Sequence, residues 1–243
     1  MDRLRSLSHA RHRRYAAMAA SAALTLALAP PQRLAAYIVD DSVTAMQQFL
    51  ARPRLAHQYS ASRRLEASGS GHRAWLDVQT DFAPASGLQY HVTAEGGSGY
   101  IRTRVLRSLL EEERRLMAAG TGSTIAISTD NYQFTPDGLN EDGLAVVRVR
   151  PLRKDRSLIV GRMFLTANGD LLRIEGQLAK NPSFWVTRVN VVREYRRING
   201  VLMPVSLDTT AQLRWLGSSA LRMTYRYSRV NDRAVHGSDH TDN

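Results

Sequence analysis

The sequence predicts an α+β fold built on one large antiparallel sheet. Three observations predict it. Long stretches alternate apolar and polar residues with a period of two, as half-buried strands do. Asn168-Gly169 and Asn199-Gly200 fall between such stretches, where Asn-Gly accepts the positive φ of a tight hairpin. One strongly amphipathic helical stretch, Arg102 to about Ala119, divides two blocks of strands.

Met1 to about Ala36 reads as a secretory leader. Arg3 to Arg14 supplies a cationic start and Ala16 to Ala29 an apolar segment, too short for a membrane-spanning helix of about 20 residues. Cleavage is expected after Ala36 or nearer Ala29; the alternatives are a basic tail with a short buried helix, or an uncleaved anchor. The organisation is then a leader at 1–36, one domain at 37–232 and a polar, disordered tail at 233–243. Asp40-Asp41-Ser42 is expected to cap a helix from Val43 to about Ala51, ended by Pro53, with Val43, Met46, Phe49 and Leu50 as its apolar stripe.

From Arg54 to Glu95 the chain reads as a three-strand meander. Leu55, His57, Tyr59, Ala61 and Leu65 alternate with Ala56, Gln58, Ser60 and Arg64. Ala74, Leu76, Val78 and Phe82 follow, then Leu88, Tyr90 and Val92. On the long helix Ile101, Val105, Leu109 and Leu116 mark the apolar stripe. Arg104, Arg107, Glu111 and Arg115 face away, with Arg107–Glu111 and Glu111–Arg115 at ion-pair spacing, and Gly120 stops the helix. Tyr132–Thr135, Ala145–Arg150 and Leu158–Thr166 supply further strands, with turns at Asp137-Gly138 and Glu141-Asp142-Gly143. In the stretch Gly161 to Leu207, Leu172, Ile174, Gly176 and Leu178 are placed on one face, and Val201, Met203, Val205 and Leu207 on one face of the next hairpin. Leu221, Met223, Tyr225 and Tyr227 alternate in a last strand. Both strand blocks belong to one sheet, which must curl because strands twist.

The chain has 243 residues, 33 basic against 22 acidic, and a formal charge of +11; without residues 1–36 the balance falls to about +6. That charge suits an anionic lipid surface or an acidic partner. The arginines alternate with apolar residues instead of forming a focused basic patch, so nucleic acid is not expected despite Trp75, Trp185 and Trp215. The absence of cysteine removes disulfides, thiolate metal sites, thiol nucleophiles and a lipidated cysteine.

No nucleophile elbow, phosphate loop, zinc-protease or dinucleotide motif is present. His57, His72 and His91 lack ligand spacing. Glu111-Glu112-Glu113 point in different directions from one helix and read as a solvated face. No enzyme, cofactor or metal site is expected. What remains is the apolar face: Met46, Leu76, Tyr90, Val92, Leu109, Leu172, Ile174, Val189, Val191, Met203, Val205, Leu207, Leu221, Met223 and Tyr225. By pattern alone this set reads as a core sealed by helices before it reads as a cavity lining.

IRTRVLRSLLEEERR (101–115), NYQF (131–134), GRMFLTANGDLLRIEGQLAKNPSFWVTRV (161–189) and REYRRINGVLMPVS (193–206) resemble an uncharacterised exported bacterial branch of the LolA/LolB-like superfamily of outer-membrane lipoprotein-sorting proteins. The resemblance implies a strongly curved antiparallel β half-barrel with helices covering its concave face, and an apolar cavity that takes lipid or lipoprotein acyl chains. It implies a soluble periplasmic carrier that contacts membranes peripherally. The alternative is an envelope sensor or protein-interaction domain with a filled cavity, of the RseB type. Lipoprotein cargo rests here on analogy of fold.

Overall fold

The computed structural model describes residues 32–52, 58–120, 126–184, 186–215 and 217–235, the first nine of them as backbone alone. By internal contacts the chain divides into Met1–Ala36 and Tyr37–Asn243. The first unit lies almost wholly outside the described residues, and with it the expected leader. The second carries the sheet.

Among the described residues eleven antiparallel strands form a single open sheet: β1 (Tyr59–Gly69), β2 (His72–Ala83), β3 (Gly87–Gly97), β4 (Tyr132–Leu139), β5 (Ala145–Pro151), β6 (Ile159–Leu165), β7 (Leu171–Leu178), β8 (Val186–Ile198), β9 (Val201–Leu213), β10 (Gly217–Val230) and β11 (Arg233–Ala234). The order is β3-β2-β1-β10-β9-β8-β7-β6-β5-β4, with β11 added to β10. The two expected strand blocks join because β1 pairs with β10 along its full length, Tyr59 opposite Val230 and Gly69 opposite Ser219. Arg233–Ala234, in the stretch expected to be a disordered tail, is the short strand on β10.

Among the described residues two helical segments accompany the sheet. Helix α1 (Gln32–Ala51) begins well before the expected capping site, so Asp40, Asp41 and Ser42 are interior to it. Its Ala45 and Phe49 are buried. It packs on the β6–β7 hairpin at Gly169, where an added Cβ would stand 2.7 Å from Gln48 Cβ and 2.8 Å from the Ala45 carbonyl oxygen. Only glycine fits that approach, and its φ of +72° favours glycine as well. Arg52 then donates to Asp170 Oδ1 at 2.6 Å, and Arg197 Nε from β8 donates to the same oxygen at 2.9 Å.

Helix α2 leaves edge strand β3 and leads toward the opposite edge strand, β4. It has a first turn, Gly99–Ile101, a π-helical stretch, Arg102–Arg107, and an α-helical stretch, Ser108–Ala118. The side-chain pairing differs from the expected one. Arg107 joins Arg102 on Glu95 of β3, each at 2.5 Å, and Glu111 takes Arg114 at 2.7 Å in place of Arg107 or Arg115. None of the helices among the described residues is long and apolar enough to cross a membrane.

Leu65 and Leu76 from β1 and β2, Leu106 and Leu110 from α2, Phe49 from α1, and Val147, Met163 and Ile174 from the far strands belong to one buried cluster. A second cluster holds Ala61, Ile198, Met203, Tyr227 and Val230. Gly161 and Gly176 face each other across β6 and β7, and a Cβ on either would stand 1.9 Å or 2.2 Å from a carbonyl oxygen of the other strand. Such a pair permits a tight backbone approach and local bending of the sheet.

Candidate functional site

The inward series of β1 is Ala61, Arg63, Leu65 and Ala67, all buried. The register carries this row across the sheet. Tyr225 of β10 stands opposite Arg63, Met223 opposite Leu65, Leu207 of β9 opposite Met223, Arg193 of β8 opposite Leu207, and Ile174 of β7 opposite Arg193. Pairing thus places two arginines on the face that meets the helices, among leucine, isoleucine and methionine.

Arg63 is 3% exposed. Its Nη1 donates to Glu113 Oε2 of α2 at 2.7 Å, and its Nη2 donates to the Tyr59 hydroxyl at 2.8 Å. Its guanidinium carbon lies 4.8 Å from the Tyr225 ring centroid and 5.9 Å from that of Tyr59, within cation–π range. Tyr225 and Tyr227 stack at 6.1 Å, Tyr59 meets Tyr227 edge-on at 5.7 Å, and the Tyr227 hydroxyl donates to the Pro204 carbonyl at 2.8 Å. A band of tyrosines and arginine therefore runs between the two apolar clusters, touching both through Tyr225.

Burial works against the Arg63 charge; Glu113 first, then Tyr225 and Tyr59, more than offset it and hold the guanidinium firmly protonated. Burial also opposes the Arg193 charge, and Tyr195, which accepts a hydrogen bond from it, leads the groups that offset this, with Tyr225 and Glu113 behind. The Nε atoms of Arg63 and Arg193 are enclosed and without a hydrogen-bond partner. Burial pushes the Tyr59 phenol up to about 12 and raises Tyr225 and Tyr227 as well.

The expected apolar lining is gathered unevenly. Leu76, Ile174, Val189, Val191, Leu207 and Met223 are buried in the main cluster, while Met46, Tyr90, Val92, Leu109, Leu221 and Tyr225 pack against it partly buried. Met203 belongs to the second cluster, with Val205 packed against it. Leu172 does not join either: it is 37% exposed, and Leu171 is buried in its place at 1%. A bulge explains this, since Phe164 faces Arg173 and Leu165 faces Leu171, leaving Leu172 out of the ladder and reversing its side.

The glutamates of α2 are not simply a solvated face. Glu113 reaches Arg63, and Glu111 Oε1 accepts from the Tyr90 hydroxyl at 2.5 Å. The Tyr90 bond leads the effects that lower the Glu111 carboxyl, with Arg114 next. Sequence reasoning missed Arg63, although the alternation that runs through Tyr59, Ala61 and Leu65 passes through it. His72 and His91 are exposed on β2 and β3, and His57 lies outside the described residues. No metal-holding group occurs among the described residues.

The opposite face is wet. Arg64 stacks 4.0 Å from the Trp75 ring, which covers the bare Gly96 of edge strand β3. An open groove of about 300 Å³ lies beside the Gly161–Gly176 pair, lined in part by Arg162, Glu175, Gln177 and Asn190. Its Arg162–Glu175 ion pair, at 2.9 Å, marks it as polar.

No family model matches the sequence, and none of the curated proteins compared with it does. Among solved structures, the chain is similar to a DUF1329 family protein from Desulfovibrio piger (10% identity, TM-score 0.38, 78% of this chain and 91% of that one). It is similar to a LolA superfamily protein from Nitrosomonas europaea (10% identity, TM-score 0.37, 83% and 97%), and to MucB (11% identity, TM-score 0.20, 79% and 93%). What the site can do follows from the chain's own residues.

Proposed function

We propose that this protein is an exported, periplasmic binding module for a lipid or lipoprotein, which takes acyl chains between α2 and the face of the sheet that bears it. In this reading the sheet curves as a half-barrel and the helices cover its concave side. One observation carries the reading. A partly buried apolar and aromatic surface packs against the main cluster, with Tyr90 and Val92 on β3, Leu109 on α2, and Leu221 and Tyr225 on β10. Across it α2 is linked to the sheet by polar bonds, Glu95 with Arg102 and Arg107, Tyr90 with Glu111, and Arg63 with Glu113.

Such a surface binds by removing methylenes from water, at about 0.8 kcal/mol for each CH₂. A few methylenes give weak, reversible binding, and a pair of acyl chains gives firm retention. The groups on offer are guanidiniums, phenols and aliphatic side chains, which hold a ligand instead of transforming it. The basic charge suits transient contact with an anionic membrane surface, and the cationic and apolar start of the sequence supports export.

The test is native mass spectrometry of protein purified from the periplasm, together with thermal melting in the presence of phospholipid or a diacylated peptide. Bound lipid and a raised Tm are expected. Protein that is lipid-free and melts at the same temperature with every lipid would remove the proposal.

A second reading, an envelope sensor or interaction domain, is favoured by the complete burial of Leu65, Leu76, Leu106 and Leu110, which fill the space between α2 and strands β1 and β2. A salt-sensitive complex with an envelope protein, formed by lipid-free chain, would distinguish it.

A further inference from the structure

We propose that Arg63 and Arg193 form an anion-binding site on the helix-bearing face, held by Glu113 in the free protein, which receives the phosphate or carboxylate headgroup of the amphiphile. The inference rests on the amphiphile-binding reading above and adds the chemistry of the headgroup.

Two guanidiniums lie on an apolar face, and Glu113, the carboxylate acting on both, is bonded to Arg63. The neighbours of Arg193 across the ladder are Leu207 and Ile174, which neutralise nothing. Arg193, partly buried and hydrogen-bonded to Tyr195, keeps a positive charge whose nearest offsetting group is a phenol and not a carboxylate.

The Nε atoms of both arginines are enclosed and have no acceptor. Buried donors are paired almost everywhere in proteins, so an unsatisfied one on each of two cations that Tyr225 and Glu113 both act on marks a place for acceptor oxygens; Arg102 and Arg173, each ion-paired to a glutamate, also leave Nε unpaired. A guanidinium offers a planar fork that matches phosphate and carboxylate in paired bonds.

The Glu113 side chain is 26% exposed while that of Arg63 is 1% exposed. The carboxylate therefore stands at the solvent side of the site and Arg63 behind it. An incoming anion that takes the place of Glu113 meets Arg63 from the same direction. Tyr225 lies beside Arg63, 4.8 Å from ring centroid to guanidinium carbon, and Leu221 on the same strand packs against the same main cluster, so an attached alkyl chain has apolar surface to follow.

The test is calorimetric titration of the full-length protein, as processed on export, with decyl phosphate, decyl glucoside and inorganic phosphate, the alkyl compounds below their micelle concentrations. Decyl phosphate is expected to bind about tenfold or more tightly than decyl glucoside, and inorganic phosphate much more weakly than decyl phosphate. Glu113→Gln, which removes the resident carboxylate, is expected to raise the affinity for decyl phosphate about tenfold and leave decyl glucoside unchanged. Arg193→Gln is expected to erase the preference for phosphate.

Equal binding of both alkyl compounds, with no response to Glu113→Gln, would overturn the anion site and leave the acyl reading standing. Inorganic phosphate bound as tightly as decyl phosphate would overturn the headgroup assignment in favour of free anions. Failure of both alkyl compounds to bind would defeat the amphiphile reading itself. If Arg193→Gln does not fold, the comparison of the three ligands on the unaltered chain decides.

Discussion

Arg63 on β1 and Glu113 on α2, fifty residues apart in sequence, meet at 2.7 Å, and the arginine is the buried partner. The asymmetry has a thermodynamic consequence. Glu113→Leu leaves a buried guanidinium without its carboxylate, whereas Arg63→Met leaves a carboxylate that can turn to water. Loss of Glu113 is expected to cost about 2–4 kcal/mol and loss of Arg63 less than about 2 kcal/mol, with the double variant near the Arg63→Met value. Urea denaturation of the four proteins measures this. Equal single-variant losses that simply add would refute a coupled, one-sided pair.

Stability is expected to fall at high pH. Burial holds the Tyr59 phenol up to about 12 in the folded protein against 10.0 ordinarily, and Tyr132, Tyr225 and Tyr227 are raised in the same direction by the same cause. Below pH 10 both folded and unfolded chains hold the proton, and the stabilisation is intact. Between pH 10 and 12 the unfolded chain ionises first, so stability is lost as pH rises. Tyr59 alone accounts for on the order of 2 kcal/mol. The urea midpoint should drop across this window and drop less steeply in Tyr59→Phe. A midpoint constant from pH 9 to 11.5 would contradict the burial of these phenols.

The glycine pair on β6 and β7 should tolerate no side chain. Gly161→Ala drives a Cβ to 1.9 Å from the Glu175 carbonyl oxygen. The expected loss exceeds about 2 kcal/mol, because backbone atoms on both strands must move. Val160→Ala next to it, at a position 46% exposed, should change stability by less than about 0.5 kcal/mol. Thermal melts of the two variants separate these outcomes, and matched melting temperatures would show that the strands approach differently.

The bulge at the start of β7 is testable by neighbours of one kind. Leu171→Ala should cost about 2–4 kcal/mol, since the side chain is 1% exposed in the main cluster, and Leu172→Ala close to nothing. The opposite ranking would restore the uninterrupted alternation of the sequence and put Leu172 inside.

Much of the fold is legible before any tertiary information. Hairpin turns at Asn168-Gly169 and Asn199-Gly200 are encoded by residues that accept positive φ, and Gly169 and Gly200 adopt it. Alternation marks the strands because pleating sends successive side chains to opposite faces. The same signals mislead where local geometry departs from the ideal. Asp137-Gly138 reads as a turn, yet Gly138, at φ +82°, sits in a bulge inside β4 where the register shifts between Pro136 and Leu139. Nothing local tells a bulge glycine from a turn glycine, since both need the same backbone angle.

The site was half legible. Met223, Leu207, Val191 and Ile174 announce an apolar face by spacing. Arg63 and Arg193 share that spacing, but a charged side chain is read as wet unless its partner is known, and the partner of Arg63 is far away in sequence. Periodicity determined by itself that this chain makes strands, a long helix and an apolar face, because those depend on neighbours along the chain. Only the tertiary structure decided that β1 closes against β10, that α2 brings Glu113 over Arg63, and that two cations sit among leucines. Strand pairing and charge burial depend on which distant residues share a small volume, and no local pattern carries that information.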